Sequence, residues 1–116
     1  ALAGLEGVRL LQYDPANDPN YQYVVVEIDS AFGACRDDVV AALQAENILA
    51  RKYFWPGCHR MQPYRDLYPH AGLLLPNTES VGARVVVLPS GPSLPEGAIE
   101  TIAMVFKTLA DLEGRA

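Results

Sequence analysis

The sequence predicts an α+β fold, a two-layer sandwich in which a small, mainly antiparallel sheet of about three strands carries its helices on one face. Two observations predict it. Three short runs are rich in β-branched and aromatic residues, and two longer segments repeat apolar residues at helical spacing. Their order is strand, helix, strand, long loop, short helix, strand, long helix, which suits a sheet packed on one side by two helices. At 116 residues the chain is one domain's worth, with residues 1–20 as a lead-in segment and loop and residues 21–113 as the core. A chain of this size buries about 65% of the surface its unfolded form exposes. That is enough for a core, but not for a deep pocket as well, so the domain is expected to contribute to a site rather than enclose one.

Residues 14–20, DPANDPN, combine two Pro with four Asp and Asn and predict a loop. Tyr21 to Asp29 alternates Val24, Val26 and Ile28 with Tyr23, Val25 and Glu27, the pattern of a strand with one apolar and one mixed face. A turn over Ser30 to Ala34 leads to a helix over Arg36 to Asn47. Asp37 and Asp38 complement the dipole of its first turn, Val39, Val40 and Leu43 form its stripe, and Asn47 supplies a left-handed stop. Ile48 to Phe54 predicts a second strand. From Trp55 to Leu75, Pro56-Gly57, Pro63, Pro69 and Gly72 exclude any long regular element. Residues 77–82 open a short helix capped by Asn77 or Thr78, and Ala83 to Pro89 is a third strand. Ser93 and Glu96 have capping-box spacing, and Ile99, Ile102, Val105, Phe106, Leu109 and Leu112 then mark a long helix that Gly114 ends.

Composition narrows the function. Fourteen acidic and nine basic residues give a net charge of −5, against the basic face that a nucleic-acid binder needs. No stretch approaches the roughly 20 apolar residues of a membrane span, and no signal peptide is recognisable. Two cysteines, Cys35 and Cys58, make no disulfide framework. The expectation is a cytoplasmic protein. The chain begins without methionine inside an apolar segment, as a fragment of a larger protein would.

The candidate chemistry lies in the long loop. Cys58 and His59 are adjacent, and adjacent side chains rarely converge on one ion, so no metal site is expected. A cysteine nucleophile needs a base in defined geometry, which adjacency does not provide. The segment Leu49 to Arg65, LARKYFWPGCHRMQPYR, differs: it gathers arginines, aromatic rings, an imidazole and an amide. Aromatic faces suit sugars and bases, and the guanidinium fork suits carboxylates and phosphates. The plain alternative is a loop whose rings pack as satellite core above a solvated basic surface.

The order L-x-R-x-Y-F-x-P-x-x-H-x-x-x-P-Y-R after a strand and helix resembles the C-terminal domain of the DegT/DnrJ/EryC1/StrS aminotransferases. The flanking YQYVVVEID, RDDVVAALQAENI, LPNTE and RVVVLPSGPSLPEGAIETI extend the resemblance over about residues 20–112. It implies the small C-terminal domain of a fold type I, pyridoxal phosphate (PLP)-dependent enzyme that aminates a nucleotide-linked keto-deoxysugar with glutamate as donor. It also implies a missing N-terminal large domain that bears the Schiff-base lysine, and a homodimer. Neither Lys52 nor Lys107 has a visible phosphate cup or acid partner for a pyridine nitrogen, so this chain contributes no catalytic residue and is expected to be inactive and free of PLP alone. By the resemblance, His59 lies near sugar or cofactor, Tyr53 and Phe54 shape the substrate wall, and Arg51 holds the donor carboxylate, with Gln62 and Tyr64 as further substrate-binding candidates. The chain reads Pro56-Gly57-Cys58-His59 where the commoner family form is one residue shorter, which bears on how His59 is aimed. Competing readings are a free-standing small-molecule-binding domain and a dimerisation module without catalysis.

Overall fold

The sheet is built around one central strand. In the computed structural model, which describes residues 1–114, β2 (Val24–Ile28) pairs antiparallel with β1 (Val8–Leu10) on one side and β3 (Val85–Leu88) on the other. The register sets Val8 opposite Ile28 and Val26 opposite Val86. Val24, Val26, Ile28, Val86 and Leu88 therefore share one face. Onto that face pack α1 (Arg36–Ala45), through Val39, Val40 and Leu43, and α5 (Ala98–Glu113), through Ile102, Val105 and Phe106. The expected sandwich, with three antiparallel strands and its two main helices on one face, is what forms. Leu2, Leu5 and Val8 pack against the same core from the lead-in segment.

The strands are not all those expected. Ile48 to Phe54 is not a strand: only Arg51 pairs, bridging Val87 through two backbone hydrogen bonds of 2.9 and 2.8 Å. Ile48 and Ala50 are buried in alternation with exposed Leu49 and Arg51, so the side-chain period is strand-like while the ladder is not. The chain touches the edge of β3 once and turns away. The third strand is instead β1, whose three residues are too few to stand out as a periodic run.

Helix boundaries moved for reasons of proline chemistry. The expected Ser93–Glu96 box does not form; α5 starts at Ala98, with Gly97 at φ 82° before it. A residue preceding proline is pushed out of the helical region, so Leu94 cannot open a helix before Pro95, and the segment makes turns instead. The short helix runs as α4 (Pro76–Arg84), with Pro76 in its first turn and Asn77 and Thr78 inside it rather than capping it. At α1 the expectation holds: Asn47 is left-handed at φ 59°, and the Cys35 backbone N–H donates to Asp38 at 3.3 Å. The long loop contains a 3-10 turn (Cys58–Arg60), α2 (Tyr64–Leu67) and α3 (Ala71–Leu74), all short as its prolines dictate. Among the described residues no helix is long and apolar enough to cross a membrane.

The opposite sheet face is open and mixed. Glu27 accepts a hydrogen bond there from Arg9 and forms an ion pair with Arg84 at 2.9 Å, while Val25 stands opposite Val87 and, next along, Arg51.

Candidate functional site

The loop leaves the edge of this open face and is pinned at each end. Its first residues make an aromatic corner. Tyr53 stacks on Phe54 at 5.1 Å and meets Tyr23 of the sheet edge-on at 6.1 Å. Phe54 is 69% exposed, a large apolar surface to leave in water. Arg51 lies 5.4 Å above the Tyr53 ring and donates to its hydroxyl. Among the described residues Arg51 has no carboxylate partner, whereas Arg60, Arg65 and Lys52 each have one.

The first pin is Arg36, only 4% exposed. Its guanidinium donates to the Gly82 and Val85 carbonyls at 2.9 Å each and to Asp37 at 2.6 Å. The Trp55 ring covers it at 5.1 Å and occupies space beside Gly82, where a Cβ would stand 3.7 Å from the indole. Asp37 also holds Lys52 at 3.1 Å, and Lys52 first, then Arg36, keeps its carboxyl below the usual range despite desolvation.

The second pin joins the loop to α4. Glu79 accepts from Arg60 Nε and from His59 Nε2, both 2.5 Å from the same oxygen. Arg60 first, then His59, holds the Glu79 carboxyl down to about 2, and Glu79 raises Arg60 in turn. Two glycines make the approach possible. Gly57, at φ 90°, lies so near that a Cβ there would fall 2.8 Å from the His59 ring, and one at Gly72 would fall 2.9 Å from Arg60.

The depressed Glu79 value has a testable sign. A carboxyl lowered in the folded state stabilises above its unfolded value and loses that contribution as pH falls through the folded one. The stability gap between wild type and Glu79→Gln is therefore expected to be full above about pH 5 and to close between the ordinary carboxyl value of 4.5 and about 2. Urea midpoints at several pH values measure it. A gap that widens in acid would contradict the geometry. Arg60 is half exposed, so added salt should shrink the part of the gap that it contributes.

His59, with 9% of its side chain exposed, separates two clefts. One, about 430 Å³, is apolar and includes Cys58, Tyr64, Tyr68 and Leu75. The other, about 360 Å³, includes Arg60, Arg65 and His70. Five of the six sequence candidates thus fall in two groups: Arg51, Tyr53 and Phe54 at the sheet edge, and His59 with Tyr64 at the clefts. Gln62 lines neither cleft and donates to Asp66 at 2.8 Å. Sequence reasoning missed Glu79 and Arg36. Both were signalled, as the glutamate of LPNTE and the arginine opening RDDVV.

Comparison with known proteins settles the family. The profile of the DegT/DnrJ/EryC1/StrS aminotransferase family matches residues 1–107. The chain belongs to that family. A dTDP-4-amino-4,6-dideoxy-D-glucose transaminase of Escherichia coli is 34% identical over 93% of this chain and 28% of its own length. One from Shigella dysenteriae is 23% identical over 93% of the chain and 29% of its own. The crystal structure of DesI in the presence of its TDP-sugar product superposes with a TM-score of 0.82 at 42% identity, covering 98% of this chain and 30% of that one. The chain therefore spans under a third of the length of these relatives.

PLP enzymes of this family need a lysine that can lose its proton. Lys52 is ion-paired to Asp37, and Lys107 is exposed on α5. Neither fits a Schiff-base role.

Proposed function

We propose that this chain forms one wall of the substrate site in a PLP-dependent aminotransferase that aminates a nucleotide-linked keto-deoxysugar with glutamate as amino donor. The cofactor and its lysine belong to a large domain outside this chain, in a cytoplasmic enzyme that works as a homodimer. The names of the relatives support the substrate class, since two are dTDP-sugar transaminases and a third was solved with a TDP-sugar product. The absence of a usable lysine supports the division of labour. Within this chain, Tyr53 and Phe54 offer a flat apolar wall, Tyr64 a second, and His59 a polar group between two clefts. Gln62 is the weakest of the candidates, because Asp66 already engages its amide.

The observation that carries the reading is Arg51. It is held over an aromatic ring at a sheet edge with its charge uncompensated among the described residues, a prepared receptor for a carboxylate. In the full-length enzyme, Arg51→Met is expected to raise the KM for glutamate about 10- to 100-fold, the equivalent of one charge-assisted hydrogen bond, with the sugar KM little changed. An unchanged glutamate KM would remove Arg51 from the donor site. The chain alone, mixed with PLP and borohydride, is expected to form no covalent adduct; one mapped to Lys52 would refute the division of labour.

A further inference from the structure

We propose that Glu79 is a positioning residue that fixes the tautomer of His59, holding the proton on Nε2 and leaving the Nδ1 lone pair as the acceptor offered to substrate. The functional half of this rests on the reading of His59 as a substrate-facing residue; the tautomer itself does not.

The Glu79 carboxyl stays ionised at neutral pH, because the Arg60 guanidinium donates to it. A carboxylate accepts and cannot donate. The ring nitrogen 2.5 Å from it must therefore carry the hydrogen, and in a neutral imidazole the other nitrogen is then bare. Both donors meet one oxygen, so Arg60 sets where that oxygen lies, and the oxygen sets the ring.

The surroundings are shaped for this arrangement. Gly57 faces the Cε1 and Nδ1 edge, where a Cβ would come within 2.8 and 3.0 Å. The bare nitrogen is thus left without a side chain across that edge. Gly72 faces the other half of the network, where a Cβ would fall 2.9 Å from Arg60 Nη2 and 3.1 Å from the shared Glu79 oxygen. An ordinary surface ion pair needs neither clearance. The remaining titratable or charged groups around the ring are Arg65 and His70, across the cleft they line with Arg60. With φ at 90°, Gly57 also supplies a turn that only glycine makes freely.

The test uses the full-length enzyme with ¹⁵N-labelled histidine, with His59 resonances identified by their loss in His59→Gln. Wild type is expected to show a proton on Nε2 and a bare Nδ1 in the neutral ring. Glu79→Leu should mix the tautomers and lower kcat about 10- to 100-fold, with KM changing less. Glu79→Gln, whose carbonyl can still accept both hydrogen bonds, should restore the tautomer and most of kcat. A wild-type proton on Nδ1 overturns the proposal, and so does an unchanged tautomer in Glu79→Leu. If Glu79→Leu does not fold, the wild-type spectrum and Glu79→Gln still decide. If the tautomer is as stated but His59→Gln keeps full activity, the substrate-facing reading of His59 fails while the assignment stands. If His59→Gln is inactive and the proton sits on Nδ1, the opposite holds.

Discussion

Arg36→Met is expected to lower the unfolding free energy by about 2–4 kcal/mol and to release Trp55 at the same time. Methionine keeps most of the buried stem, so the change isolates the guanidinium. Two effects oppose each other. Removing a buried charge relieves desolvation, and replacing a whole buried pair by apolar groups can be neutral. Here, however, only one partner goes. The carbonyls of Gly82 and Val85 each lose the Arg36 hydrogen bond, and an unsatisfied buried acceptor costs about 1–3 kcal/mol. Asp37 suffers less, because it is half exposed and keeps Lys52. The indole loses the cation beneath it, a further ~0.5–2 kcal/mol. Denaturant midpoints measure the first effect and Trp55 fluorescence the second, the chain having a single tryptophan. A loss under about 1 kcal/mol, with an unchanged emission spectrum, would mean that Arg36 does not anchor the loop.

Phe106→Ala should cost more. Phe106 is fully buried on α5 and meets Phe32 at 5.9 Å, in the layer between both helices and the sheet. Deleting a buried ring costs about 3–5 kcal/mol, from lost transfer energy and the cavity left behind. Folded domains are stable by about 5–15 kcal/mol, so this variant sits near the threshold of folding. Phe106→Leu, which keeps most of the volume, should cost about 1.5 kcal/mol or less. Equal losses for the two variants would show that the cost does not follow the cavity left behind. The positions differ in what they report: Phe106 tests the sandwich, and Arg36 tests the attachment of the loop.

The core was legible because its pattern is periodic. The alternation over Val24 to Ile28 and the helical recurrence from Ile102 through Val105 and Phe106 to Leu109 follow from burial on one face, while Ile99 and Leu112, which the same period includes, are exposed. What failed was local. The edge strand Val8–Leu10 has too few residues for a period to show, and Ile48 to Arg51 has the period yet pairs at Arg51 alone. Whether a strand-like run joins a ladder depends on where the neighbouring edge lies, and no local pattern carries that information. The Ser93 box lost to a proline two residues on, a rule that can be applied from sequence. In the site, individual residue types were readable and their pairing was not. Glu79 lies twenty positions from His59, and Gly57 matters through a backbone angle.

The two pins have a consequence for how such domains diversify. Between Trp55 and Glu79 the chain is tied down by Arg36 on one side and by the His59–Arg60 pair on the other, and residues 60–70 are all solvent-exposed. None of the buried core residues lies between them. The stretch is built as a cassette: its contents should be exchangeable, provided that the tryptophan, the histidine–arginine pair, the glutamate and the two glycines that clear their approach, Gly57 and Gly72, stay. The sandwich beneath carries no cost for such exchange, and a grafted loop that keeps those six residues should seat on this scaffold unaided.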